Sequence, residues 1–279
     1  MKRNHGHILN AYKNGYAIPQ FNIINLEWAK YILEECQAQK SPVFLGVSIN
    51  TIKYIGGYNV AVDLVKSLIQ DLNITVPVML HLDHAKTIEQ CRNAYDAGFD
   101  SIMIDASQYN IEDNIKLTNE VGTFAYDTLI EAEIGQIGKY EDESSITIKY
   151  TNLKEAKKFN DSTLIDMLAL SLGSVHGIYY ETPNIDFQEM EKINKELRMP
   201  LVLHGCSGLS NEVLQKAIQN GTSKMNFDTE LKLAWSKSIK EHIKISDSYD
   251  PKEIIGAGEV AIKNTVKKYI ECLSSKNRG

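Results

Sequence analysis

Three histidines each arrive at the end of an apolar run. His84 closes Met79-Leu80-His81-Leu82-Asp83-His84, His176 closes Leu170-Ser171-Leu172-Gly173-Ser174-Val175-His176, and His204 closes Leu201-Val202-Leu203-His204. Neutral imidazole is the commonest protein ligand for metal ions. Three protein nitrogens with one position left open give a catalytic zinc site rather than a closed structural one. Asp83 stands directly beside the first histidine. A Lewis acid next to a proton-accepting carboxylate suits chemistry at a carbonyl. His81 precedes Asp83 by two residues, so on a strand the two share a face. His81 is expected deeper in the fold, satisfied by a structural hydrogen bond. His5, His7 and His242 are expected on surface helices.

The elements that would position these groups alternate along the whole chain. Strands are expected near 17–22, 42–48, 76–83, 101–106, 128–134, 167–173, 200–204 and 223–227, all short and rich in apolar or β-branched residues. Strands apolar on both faces belong to buried parallel sheets. Between them lie helix-like stretches with recognisable ends. Asn25 can cap a helix running to Gln39 by accepting an orphan N–H. Thr87 with Gln90 resembles a capping box, and Gly98 can close that helix in a left-handed turn. Ser210 opens a helix that Gly221 can end, and a final helix is expected from Pro251 to Leu273. Eight strand–helix alternations in 279 residues predict the α/β class and a TIM (β/α)8 barrel in a single domain, 1–279. A doubly wound open sheet is the alternative, but no G-x-G-x-x-G follows the first strand. The polar stretch Gly135 to Thr147 is the least barrel-like and is expected to be an active-site loop.

In such a barrel the chemistry sits at the C-terminal strand ends. The unusual residues fall there: Asn22, Ser48, Asp83 with His84, Asp105, Glu131 and Glu133, His176-Gly177, His204-Gly205, and Asn226 with Asp228-Thr229. Composition narrows the partners. Net charge is −6, and no Lys/Arg run tracks a phosphate backbone, so no nucleic-acid partner is expected. No segment approaches the roughly 18 apolar residues of a membrane span. The start, Met1-Lys2-Arg3-Asn4-His5-Gly6-His7, has no apolar core after its basic residues. The scattered cysteines, Cys36, Cys91, Cys206 and Cys272, form no C-x-x-C pair and read as reduced thiols. A cytoplasmic enzyme is expected.

On these residues the chain resembles the class II, metal-dependent ketose-bisphosphate aldolases, from Ile18-Pro19-Gln20-Phe21-Asn22 to about Ile270. The motifs that carry the resemblance are His81-Leu82-Asp83-His84, Met103-Ile104-Asp105-Ala106-Ser107, Glu131-Ala132-Glu133-Ile134-Gly135, Val175-His176-Gly177, His204-Gly205-Cys206-Ser207 and Lys224-Met225-Asn226-Phe227-Asp228-Thr229. Pro183-Asn184-Ile185-Asp186-Phe187 and Thr229-Glu230-Leu231-Lys232 lean toward the tagatose-type branch. The resemblance implies cleavage of fructose- or tagatose-1,6-bisphosphate to dihydroxyacetone phosphate and an aldehyde. It implies Zn2+ on His84, His176 and His204, with Asp105 and Glu133 offering an alternative or second metal position. It assigns Asp83 to the C4 hydroxyl proton and Glu141, in the loop, to the C3 proton. Ser48, Gly177, Gly205, Ser207, Asn226, Asp228 and Thr229 match positions that bind the triose and its phosphate. The family often adds a monovalent cation, Na+ or K+, at backbone carbonyls near these glycines. A homodimer or homotetramer is implied.

Several positions depart from the family pattern: Lys139 after Gly138, Cys206 where a smaller residue is usual, Ile49-Asn50 after Ser48, Tyr180-Glu181, and Lys252 after Asp250-Pro251. They leave the triose half of the pattern intact and bear on the aldehyde half, so a different aldehyde partner is the alternative substrate reading. Two other classes stay in view. A TIM-barrel metallohydrolase would open with His-x-His on its first strand, where this chain has Gln20 and Asn22. A non-catalytic sugar-phosphate sensor would be expected to have lost a ligand or Glu141.

Overall fold

The computed structural model describes residues 4–139, 147–181 and 183–279. Its strands, in chain order, are β1 (Ile18–Asn22), β2 (Val43–Ser48), β3 (Val78–Ala85), β4 (Ser101–Ile104), β5 (Leu129–Ile134), β6 (Gly138–Lys139), β7 (Met167–Leu170), β8 (Val175–His176), β9 (Leu201–Leu203) and β10 (Thr222–Phe227). The helices that come before or between the first four strands are α1 (His5–Asn14), α2 (Leu26–Gln39), α3 (Ile49–Ile55), α4 (Tyr58–Asp71) and α5 (Ile88–Ala97). Those that follow are α6 (Ile111–Gly122), α7 (Leu153–Ser162), α8 (Phe187–Leu197), α9 (Asn211–Gln219), α10 (Thr229–Ile245), α11 (Pro251–Gly256) and α12 (Glu259–Cys272). Eight strands close into a barrel in the order β1-β10-β9-β7-β5-β4-β3-β2, and every pairing is parallel. This is the expected TIM barrel. The short strands β6 and β8 form a separate parallel pair.

The local signals act as chemistry requires. The Asn25 side chain accepts the Trp28 N–H at 3.0 Å and starts α2. Thr87 accepts the Gln90 N–H at 3.2 Å and starts α5, and Gly98 closes it at φ 97°. Ser210 caps α9, whose C-cap is Asn220, one residue before the expected Gly221. The expected final helix is two helices. The chain breaks at Ala257-Gly258, where a Cβ on Gly258 would lie 2.0 Å from Trp235 Cδ1, so the close approach of α10 sets the break. Strand β3 runs two residues past its expected end, because an extra residue bulges its pairing with β4 between Leu82 and Ala85.

Alternation along the strands writes the barrel interior in layers. The lowest is apolar: Ile18, Phe44, Met79, Met103, Leu129, Met167 and Val202 pack together, and Ile8 and Ala11 of α1 join them. Thus α1 is not merely a surface helix; its apolar face closes the N-terminal mouth. A second, larger core fills the space between the barrel and the outer helices, as barrel architecture requires. Two residues further up the strands the interior turns polar, with Gln20, His81, Glu131 and Lys224 all fully buried. The next step up reaches the rim, with Asn22, Ser48, Asp83 and Glu133.

Gly46 makes room for the polar layer on the β1 side. A Cβ there would stand 2.4 Å from Asn22 Oδ1 and 2.5 Å from Gln20 Nε2, two amides that are hydrogen-bonded to each other at 2.8 Å. Gly46→Ala should therefore destabilise the protein by about 1–3 kcal/mol through overpacking. Denaturant unfolding should show a lower midpoint at unchanged slope; an unchanged midpoint would show that the amide pair yields freely.

Candidate active site

The rim encloses a cavity of about 650 Å³, and its geometry starts with the bulge in β3. Strict alternation would send consecutive side chains to opposite faces of the sheet. His84 breaks it with φ 52°, a left-handed conformation in which a non-glycine residue is strained. As a result both Asp83 and His84 line the cavity. His176 comes from the short strand β8 rather than from a barrel strand, and His204 directly follows β9. Gly205 lets these two approach. It has φ 67°, and a Cβ would lie 2.1 Å from the Val175 carbonyl oxygen.

The three rings converge. Centroid separations are 4.7 Å for His84–His204, 5.0 Å for His84–His176 and 5.7 Å for His176–His204. One nitrogen from each lies within 4.8 Å of the others. Two of the rings are oriented from behind. His84 Nδ1 meets Asp105 Oδ2 at 2.7 Å, which commits Nδ1–H as the donor and leaves the buried Nε2 without a partner. His204 Nε2 meets Glu131 Oε1 at 2.9 Å, which leaves Nδ1 as the acceptor nitrogen, with the Asn226 NH2 3.3 Å away. A carboxylate behind each imidazole is the arrangement that fixes the tautomer of a metal-binding histidine. The orphaned His84 Nε2, together with unpartnered Asp83 Oδ1 and Glu133 Oε2, fits a cation held among these groups. The donor set, three imidazoles, is that of zinc. A second possible set is His84, Asp105 and Glu133.

The electrostatics follow from crowding charge in a buried place. Burial opposes charging His84, but Asp83, Asp105 and Glu133 outweigh it and raise its pKa to about 9. His176, buried and facing His84 and His204, is pushed down to about 3. Burial would raise the Asp83 carboxyl, yet the surrounding histidines and Lys224 hold it well below the usual carboxylate range. Glu133 is raised, first by burial and then by the charge of Asp105. Below the rim His81 is kept neutral, down to about 3, by burial and by Lys224. Its Nδ1 sits 2.8 Å from Ser101 Oγ, the structural bond expected of it.

The remaining expected positions, Ser48, Gly177, Gly205, Ser207, Asn226, Asp228 and Thr229, all line the cavity with Asp105 and Glu133. Two of the hydroxyls also have structural work. Ser48 caps α3 by accepting the Thr51 N–H at 3.2 Å, and Ser207 accepts the Glu230 N–H at 3.2 Å in the first turn of α10. Glu141 lies outside the described residues, as does most of the expected loop. On either side of these residues in the sequence, Gln136 bridges antiparallel to Lys149. Three contributors were not singled out by the sequence reading. Asn22, noted only as a strand end, donates Nδ2 to Asp83 Oδ2 at 2.9 Å. Lys224 is fully buried, 2.9 Å from Glu131 Oε2, and donates to Asn226 Oδ1 at 2.9 Å. Because lysine only donates, Asn226 must turn its oxygen to Lys224 and its NH2 toward His204 and the cavity. Lys86 also lines the cavity and reaches Asp105. Two-residue spacing to a rim residue was the available signal for Lys224.

Comparison with known proteins agrees with this geometry. The family model for class-II fructose-bisphosphate aldolase matches residues 4–278. A fructose-bisphosphate aldolase of Geobacillus stearothermophilus is 46% identical over 260 residues, covering 92% of this chain and 91% of that one. One from Staphylococcus epidermidis is 42% identical over 275 residues, covering 97% and 96%. Among solved structures, the YdjI aldolase from Escherichia coli K12 superposes with a TM-score of 0.86 at 28% identity, covering 99% of this chain and 98% of that one. Among the described residues no helix is long and apolar enough to cross a membrane. With a closed eight-stranded barrel, a three-imidazole rim and relatives matched over nearly their whole length, the chain belongs to the class-II fructose-bisphosphate aldolase family, and it is an aldolase.

Proposed function

We propose that this enzyme uses Zn2+ to cleave fructose 1,6-bisphosphate reversibly to dihydroxyacetone phosphate and glyceraldehyde 3-phosphate. The observation that carries the reading is the convergence of His84, His176 and His204 beside an Asp83 carboxylate oxygen that has no hydrogen-bond partner. When bound, zinc supplies Lewis-acid stabilisation of the charge that develops on the ketone oxygen. His84, His176 and His204 hold it.

The chain's own groups do the rest. Asp83 is fixed by Asn22 through Oδ2, so Oδ1 is the oxygen that receives the C4 hydroxyl proton. Loss of that proton lets the C3–C4 bond break, and the electron pair passes to the dihydroxyacetone phosphate half. Glu141 returns a proton at C3. Asn226 presents its amide NH2 to the developing oxyanion, and the Lys224 contact keeps it facing that way. Gly177, Gly205, Ser207 and Thr229 surround the phosphate. Thr229 begins α10, a 17-residue helix whose cap residue Asp228 makes no side-chain cap and whose Glu230 N–H is taken by Ser207. A helix start of this kind attracts phosphate. Ser48 and Asp228 complete the pocket.

Tagatose 1,6-bisphosphate, which differs only at C4, is the second substrate to test, since Asp83 acts at that carbon. A monovalent cation near Gly177 and Gly205, a homodimer or homotetramer, and a cytoplasmic setting belong to the same proposal. The last is supported by four unpaired cysteines, three of them buried.

Four outcomes follow. At pH 7 the His84 nitrogen carries a proton in the metal-free protein, because its pKa is raised to about 9. Metal must displace it, so zinc affinity should weaken by up to about tenfold per pH unit below 9. Calorimetry in buffers of different ionisation enthalpy should find about one proton released per zinc at pH 7; no release would contradict the assignment. Asp83→Ala should lower kcat for cleavage by about 10²–10⁴-fold while elemental analysis still finds zinc. Glu141→Ala should slow exchange of the C3 proton of dihydroxyacetone phosphate at unchanged zinc content, whereas exchange at the wild-type rate would remove Glu141 from this role. Steady-state kinetics on both bisphosphates tests the substrate directly. Fructose 1,6-bisphosphate should be cleaved, the two should differ in kcat, and failure to cleave either would overturn the reading.

A further inference from the structure

Asp105 is saturated by protein donors. Oδ1 accepts from Ser107 N–H at 3.2 Å and from Ser107 Oγ at 2.7 Å. Oδ2 accepts from His84 Nδ1 at 2.7 Å and from Lys86 Nζ at 2.5 Å. Its neighbour Glu133 is not saturated: Oε1 accepts the Ile137 N–H at 3.1 Å, but the buried Oε2 has no hydrogen-bond partner and only His84 Nδ1 at 3.9 Å. His84, Asp105 and Glu133 thus form a second potential ligand set with one carboxylate ready and the other occupied. The occupant is tied in place. Lys86 follows the last residue of β3, and its backbone N–H donates to Gln90 Oε1 at 2.8 Å, which anchors it to the first turn of α5. Its side chain is 47% exposed at the cavity wall.

We propose that Lys86 is a tethered cation that keeps Asp105 as the orienting partner of His84 and excludes a second divalent metal from the Asp105 and Glu133 carboxylates. A metal ligated by Asp105 Oδ2 would meet the ammonium at contact distance, and like charges so placed repel strongly. Without the ammonium, two adjacent carboxylates would offer hard oxygen donors with no counter-charge between them. A half-exposed lysine pair contributes little to folding, so this contact matters at the site rather than for stability. The orientation it protects is the one that aims His84 Nε2 at His176 and His204. This inference rests on the reading that those three histidines hold a metal.

The test is titration of metal-free protein with Zn2+ by calorimetry, with Co2+ absorption as a second readout. Wild type and Lys86→Arg should take one metal per chain. Lys86→Met should take a second, with affinity at that position raised at least about tenfold, on the scale of other outer-partner changes. Lys86→Met combined with Glu133→Gln should return to one, and the thermal midpoint of Lys86→Met should stay near wild type. A Lys86→Met protein that binds one metal with wild-type affinity overturns the proposal, as does a wild type that already binds two. A wild type that binds none overturns the three-histidine reading along with it.

Discussion

One extra residue in β3 is the constraint on which the site depends. With strict alternation, Asp83 and His84 would face opposite sides of the sheet, and either the carboxylate or the first imidazole would be lost to the helix layer. The left-handed backbone at His84 places both in the cavity. Such a conformation costs about 1–3 kcal/mol and persists only where its surroundings impose it. Here the Asp105 carboxylate grips His84 from one side, and Ala85 rejoins the ladder opposite Ile104 on the other. The strain is local, and the adjacency it creates is what the proposed chemistry uses.

Below that rim, buried charges act as a scaffold. Glu131 and Lys224 are both fully buried and 2.9 Å apart. Burial raises the cost of a carboxylate, yet Lys224, His204 and His81 together hold Glu131 well below the usual range. A buried pair of this kind contributes little net stability, but removing one partner costs about 3–5 kcal/mol. What the pair gives is orientation. Glu131 fixes the His204 tautomer, and Lys224 fixes the Asn226 amide. The apolar layer beneath, closed by α1, keeps water from the pair, and Gly46 leaves space for the Gln20–Asn22 amides that steady Asp83.

Much of this was legible in the sequence. Apolar runs located all eight barrel strands, because strands buried on both faces must be apolar throughout. Polar residues at the ends of those runs located the rim, and two-residue spacing put His81 below it. Caps at Asn25, Thr87 and Ser210 were readable because each is a local hydrogen bond. The bulge was not readable, since a left-handed histidine has no composition signal and is imposed by neighbours distant in sequence. The separate strand β8 that carries His176 was missed for a similar reason: its partner β6 lies in the polar stretch after β5. The split between α11 and α12 depends on Trp235, far away in the chain. Lys86 reads as an ordinary surface lysine until its ammonium is seen on Asp105.

The proposed catalysis requires the metal to sit on imidazoles, with carboxylates behind two of them. X-ray absorption spectroscopy of the zinc-loaded protein at one equivalent tests that most directly. It should show three imidazole nitrogens at about 2.0–2.1 Å, with the multiple-scattering signature of histidine rings. A shell with one imidazole and two carboxylate oxygens would put the metal on His84, Asp105 and Glu133 instead, and would contradict the assignment of His176 and His204.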